Sequence, residues 1–205
     1  MLLTSRTNYG LVGFRLLRVG LQEGSLHTHR ITNMEINWEA KEITPPLSAA
    51  GIRKVAKADE SAKNGDFETA IELLSEVNTK EPGRPSILYN IATFYLALGH
   101  EEGYDVIIDQ ITQNYPDYFF GKTALAKRLI QQNRLEEARE VLLPLHDLTR
   151  FHGSEFMAFA GTQVLYHLAK GDIDAARAIH QTGVDVGDTQ FPPFERFQEE
   201  MQRKR

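Results

Sequence analysis

The stretch Asn64-Gly65-Asp66-Phe67-Glu68-Thr69-Ala70 returns, type for type, as Lys170-Gly171-Asp172-Ile173-Asp174-Ala175-Ala176. Two weaker copies lie between them, Leu98-Gly99-His100-Glu101-Glu102 and Gln132-Asn133-Arg134-Leu135-Glu136-Glu137-Ala138. Gly65, Gly99 and Asn133 stand 34 residues apart. That is the period of a helix–turn–helix unit that stacks on copies of itself because it cannot bury its apolar face alone.

Each position of the repeated word has a physical role. Gly, or Asn in its place, supplies the left-handed backbone that ends a helix at low steric cost. Asp66 and Asp172 follow where a carboxylate can cap the next helix and satisfy its orphan amides. Ala70, Ala138 and Ala176 are small enough to let two helices cross closely. Pro82 and Pro116 each come 17 residues after a turn glycine and stop the second helix, since they lack an amide hydrogen.

The residues between these marks carry helical stripes. Leu88, Ile91, Ala92 and Tyr95 recur at three- and four-residue steps, followed by Ile107, Ile108 and Ile111. The next unit repeats this with Leu125, Ala126 and Leu129, then Ala138, Leu142 and Leu145; the first has Ala58, then Ala70, Leu74 and Val77. An ordinary helical bundle has no reason to hold a 34-residue phase across three turns.

On these residues the chain resembles the tetratricopeptide repeat family, with units at about 51–84, 85–118, 119–152 and 157–190. It departs from the family pattern at Ser61, where a large aromatic is usual, at Tyr104, where a small residue is usual, and at Asn133. The fourth unit has Asp188 for its closing proline and His167 and His180 at places normally aromatic or aliphatic. The resemblance implies an all-α, right-handed solenoid of about four helix–turn–helix repeats. Phe194, Phe197 and Met201, at helical spacing behind Pro192-Pro193, predict a capping helix over 193–205.

The solenoid domain is expected over 48–205, entered through Pro45-Pro46 with Ser48 capping its first helix. Pro144 should end a helix near Leu143, leaving 146–153 as a longer loop before a helix from near Ser154 to Lys170. Residues 1–47 lack the helical pattern and are expected to be a poorly ordered extension. Within 1–33, Arg6, Arg15, Arg18 and Arg30 stand against the single acid Glu23, which suits an organelle presequence. The competing expectation, favoured here, is a biological start at Met34.

At 205 residues the chain is long enough for one continuous core, and its net charge of −5 argues against a general nucleic-acid binder. It has no cysteine, which removes disulfides, thiolate catalysis and Cys-based zinc sites. A cytoplasmic location without membrane insertion is expected.

The resemblance further implies an interaction scaffold that binds a protein or peptide partner on its inward face. Family geometry puts Tyr89, Asn90, Thr93 and Leu96, then Phe120, Thr123, Lys127 and Ile130, on that face. Tyr89, Leu96, Phe120 and Ile130 would form an apolar floor, and Asn90 could bond a peptide backbone. A clamp for a chaperone's C-terminal carboxylate is not expected. Its places hold Val55, Asp59, Asn90, Phe120 and Ala124, where only Asn90 matches and Asp59 repels.

No enzyme activity, cofactor or metal is expected. His27 and His29 read as a solvated pair, and His146 and His152, with Asp147 and Glu155 nearby, match no ligand spacing. Gly10-Leu11-Val12-Gly13 lacks the lysine and the preceding strand of a phosphate loop. RNA binding, for which Lys122 and Lys127 are a thin supply, an accessory subunit of an enzyme complex, and self-association through the end of the stack remain as alternatives.

Overall fold

The computed structural model describes residues 12–18, 30–37, 46–187 and 191–202. Two strands, β1 (Val12–Arg18) and β2 (Arg30–Asn37), precede six helices: α1 (Ala49–Lys63), α2 (Phe67–Lys80), α3 (Pro85–Ala97), α4 (Glu101–Asn114), α5 (Phe119–Gln131) and α6 (Leu135–Leu142). A short 3-10 turn at Leu143–Asp147 and strand β3 (Arg150–His152) lead to α7 (Gly153–Lys170), α8 (Ile173–Gly187) and α9 (Phe194–Gln202). The described residues fall into two compact units. One lies within Ala40–Lys122; the other combines parts of Thr7–Glu39 with Thr123–Arg205, the division falling inside α5.

Four turns of one design organise this all-α helical-repeat fold. At each, one residue takes a left-handed φ: Gly65 at 82°, Gly99 at 76°, Asn133 at 58° and Gly171 at 77°. Its amide bonds the carbonyl three residues back, and the next amide bonds the carbonyl five residues back. The pairs are Gly65–Ala62 with Asp66–Ser61, Gly99–Leu96 with His100–Tyr95, Asn133–Ile130 with Arg134–Leu129, and Gly171–Leu168 with Asp172–His167. This is the Schellman arrangement, which satisfies a helix's last carbonyls while turning the chain out of it.

The entry to the following helix varies from pair to pair. Asp66 accepts from the Thr69 amide, and Asp172 from the Ala175 amide, both at 3.1 Å. His100 and Arg134 make no side-chain cap; Arg134 instead grips Glu137 with two nitrogens, at 2.6 and 2.7 Å. The proline stops also correspond. Glu81 and Tyr115 precede Pro82 and Pro116 with nearly identical backbone, φ near −135° and ψ between 62° and 68°, as pre-proline crowding demands.

In the first compact unit α1 packs on α2, α2 on α3 and α3 on α4. Ala58, Ala70, Leu74 and Ile87 are sealed from solvent there, with Ile91 and Phe94 beside them. Burial of each large side chain contributes about 1.5–3 kcal/mol. Ala70, Ala138 and Ala176 are all fully buried. Tyr104 breaks that pattern, and Gly103 takes over the close approach: a Cβ there would stand 2.9 Å from the Tyr95 ring. Ser48 caps α1 through the Gly51 amide (3.1 Å) and donates to Glu81 at 2.6 Å. The buried Arg84 guanidinium ties the same corner to the carbonyls of Glu81, Pro82 and Pro46.

The second compact unit holds the departures from expectation. Two strands lie inside the stretch where no regular structure is expected before Pro45. β1 and β2 pair antiparallel, with Phe14 opposite Met34, and β2 pairs in parallel with β3, with Ile36 opposite Phe151. The loop expected over 146–153 is corrected accordingly: the 3-10 turn carries the chain to Asp147, and β3 occupies 150–152. β2 and β3 lie against α7, where Ile36 and Phe151 are buried and Phe151 stacks on Phe159 at 5.9 Å. The expectations for Arg6, Glu23, the His27–His29 pair, Pro45 and Asp188 fall outside the described residues. α6 gives way to the 3-10 turn after Leu142, one residue before the expected stop, and α7 opens at Gly153.

A Cβ at Gly65 would meet no atom within 4 Å, so any cost of substitution there is backbone strain alone. Gly65→Ala should therefore lower unfolding stability by about 1–2 kcal/mol, and Asn133→Gly should raise it by a few tenths to about 1 kcal/mol. Urea denaturation followed by helical circular dichroism checks both; a neutral Gly65→Ala would show that the turn is not held left-handed.

Candidate functional site

α3 has two faces. Ile87, Leu88, Ile91, Ala92 and Phe94 are buried in the core, while Tyr89, Asn90, Thr93 and Leu96 form a second stripe at helical spacing that reaches solvent. Exposure rises along it, from the half-buried Tyr89, Asn90 and Thr93 to Leu96 at 42%. The Thr93 hydroxyl donates to the Asn90 carbonyl at 2.8 Å, which turns it away from solvent partners.

Aromatic rings enclose the first turn of that stripe. Tyr89 stands 5.2 Å from Phe120 and 6.2 Å from Tyr118, ring centre to ring centre, and Phe120 stands 5.8 Å from Tyr118. Tilted and edge-on contacts at these distances are the favoured aromatic geometries. Tyr89 is partly buried, and desolvation by burial pushes its hydroxyl up to about 12. The phenol is therefore neutral at physiological pH. On α1, Val55 packs partly against the core and Asp59 holds Lys63 at 2.6 Å.

The inward places expected beyond Phe120 belong to the second compact unit and fare differently. Thr123 is 3% exposed and Ile130 is 1% exposed. Both are removed from the expected contact surface, because packing within the chain has already taken up these positions. Lys127 is half-buried and pairs with Glu200 of α9 at 2.8 Å, and Gln131 donates to the same oxygen at 3.2 Å. Sequence spacing placed Lys127 on the inward side but carried no sign of its partner.

Four of the described histidines, His146, His152, His167 and His180, are absorbed into the fold. His152 caps α7: its ring nitrogen accepts from the Ser154 amide (3.2 Å), and Glu155 accepts from the His152 amide (2.9 Å), forming a capping box. His146 accepts from the Gln163 amide at 3.0 Å, with Phe159 edge-on to its ring at 5.1 Å. His180 donates to the Pro192 carbonyl at 2.9 Å. His167 is buried, and that burial pulls its imidazole below the ordinary 6.5 although the Asp172 carboxylate lies 3.6 Å away. Among the described residues no three His, Asp or Glu are grouped to hold a metal ion, and no helix is long and apolar enough to cross a membrane.

No family model and no curated protein matches the sequence. Among solved structures, TTC0263, a thermophilic TPR protein of Thermus thermophilus, is similar to this chain with a TM-score of 0.56. The identity is 18%, over 75% of this chain and 82% of that one. The MamA RS-1 ArsTM double mutant is less similar (TM-score 0.47, 13% identity, 77% of this chain and 96% of that one). The Sgt2 TPR domain from Aspergillus fumigatus gives 0.36 at 14% identity, over 80% and 84%. The fold is that of the tetratricopeptide-repeat proteins, as the repeated turns imply, and likeness at this identity speaks of fold rather than of partner.

Because Tyr89 is neutral in the fold and ionises near 10 when exposed, its contribution to stability is intact below pH 10 and is lost as pH rises from 10 towards 12. Tyr89→Phe has no phenol to ionise. Its stability relative to wild type should therefore improve by up to about 2 kcal/mol between pH 9 and pH 11.5. Urea denaturation at the two pH values checks this, and an unchanged difference would place the hydroxyl in solvent.

Proposed function

We propose that the chain is a protein–protein interaction scaffold that docks a segment of a partner on the α3 stripe and the aromatic cluster beside it. The observation that carries this reading is that Tyr89, Asn90, Leu96 and Phe120 stand outside the fully buried set, on helices whose opposite faces are buried. Partly buried aromatics rimmed by polar residues are the anchors a peptide or helix needs. The partner bears the ordering cost, since the receiving helices are already formed.

The segment expected is apolar or mixed, extended or helical, with Asn90 offering an amide to its backbone. Thr123 and Ile130 take no part. RNA is disfavoured because Lys122 is countered by Asp117 at 3.2 Å and Lys127 by Glu200, leaving these two cations poorly placed to read phosphates or bases. A catalytic partner, with this chain as its accessory subunit, would use the same surface. The scaffold reading also fits the histidines, four of which serve helix caps and packing. A cytoplasmic site of action is proposed with it, on the cysteine-free composition.

Affinity capture from source cells followed by mass spectrometry identifies the partner; calorimetry with purified variants then tests the surface. Leu96→Glu places a charge on an exposed position and should weaken binding at least tenfold with helicity unchanged. Phe120→Ala should do the same, and full affinity in both variants would overturn the assignment.

A further inference from the structure

α9 does more than cover the end of the last helix pair. Phe191 and Phe194, with Phe197 of the same segment, are buried, and their rings surround His180 of α8 at 5.4, 5.3 and 6.0 Å. Arg177 of α8 lies over the Phe194 ring at 4.5 Å. Phe197 also rests on Gly161 of α7, where a Cβ would already be in contact with its ring at 3.4 Å. Gly183 makes a deeper recess, since a Cβ there would stand 2.4 Å from Phe191. Glu200 then reaches back to α5 and meets Lys127 and Gln131.

This bed therefore has three recognition elements: a recess at Gly183 for a ring just ahead of the helix, a His–Arg surface that suits aromatic rings, and a basic–amide pair that suits one carboxylate. They match a helix bearing aromatics at two positions one turn apart and an acid three residues further on. α9 presents that series as Phe194, Phe197 and Glu200. Its nine residues are too few to hold a helix alone, so its helical state depends on being docked.

We propose that the α5–α7–α8 bed is a second docking surface, for an amphipathic partner helix with this aromatic–aromatic–acid spacing, and that α9 is the tethered occupant such a helix displaces. Gly183 on α8 keeps the bed open to the Phe191 ring. Lys127 sets the register by choosing where the acid falls, since charge complementarity governs orientation more than raw affinity. The tether gives α9 an effective concentration on the order of millimolar, so a free helix of equal chemistry competes poorly until α9 is loosened. The inference rests on the second compact unit alone, and its failure would leave the Tyr89–Phe120 reading untouched.

The test uses the full chain and a fluorescent peptide of residues 191–202, followed by anisotropy. Phe197→Ala in the chain should raise its affinity for the peptide at least tenfold by freeing the bed. Adding Lys127→Glu to that chain should cut the affinity at least fivefold, and a peptide carrying Glu200→Lys should restore it. Circular dichroism should show a loss no larger than the nine residues of α9. If Phe197→Ala loses more, Glu200→Lys in the chain serves instead, with a gain of at least threefold expected. No gain in the folded variant, or indifference to Lys127→Glu, overturns the proposal. So does concentration-dependent dimerisation of wild type abolished by Phe197→Ala, which would make a second copy's α9 the occupant.

Discussion

A helix that reverses into its neighbour must find partners for its last carbonyls within a few residues. In this chain a single left-handed residue does so four times, at Gly65, Gly99, Asn133 and Gly171, with the same two hydrogen bonds each time. The rest of the described helical fold depends on those bonds. They set the angle at which each second helix leaves the first, and so which residues meet at the crossing. The fully buried Ala70, Ala138 and Ala176 are the direct result. Where Tyr104 breaks the pattern, the crossing survives because Gly103 is next to it.

Helices held in this way can present side chains that the core does not need. In the first compact unit that surplus is Tyr89, Asn90, Leu96 and Phe120, aromatic and apolar groups left at the surface of a rigid support. The second unit has filled its own inward places: Thr123 and Ile130 are buried, and Lys127 is engaged by Glu200. The same helical positions therefore carry different chemistry in the two units. One leaves aromatic and apolar side chains partly exposed; in the other, Glu200 of α9 engages Lys127.

The turns, the proline stops and the start of α7 were legible in sequence because each depends on residues only a few positions apart. Gly or Asn at the left-handed place, Pro after Glu81 and Tyr115, and Asp66 and Asp172 at the caps are all local signals. The sheet was not legible. β2 owes its place to a pairing of Ile36 with Phe151, residues far apart along the chain, and the arginines near β1 drew attention to charge instead. The site was legible in part for a similar reason. Helical position can suggest that Ile130 and Lys127 face inward, but not that Ile130 is buried or that a later segment brings Glu200 onto Lys127.

The four equivalent turns are tested most directly at Asn133, the only residue other than glycine with a left-handed φ among the described residues. Backbone chemical shifts and amide–α-proton couplings at Asn133 should report left-handed geometry like that of Gly65, Gly99 and Gly171. The amide of Arg134 should exchange as slowly as those of Asp66, His100 and Asp172. Right-handed helical values at Asn133, with α5 running on into α6, would contradict the account.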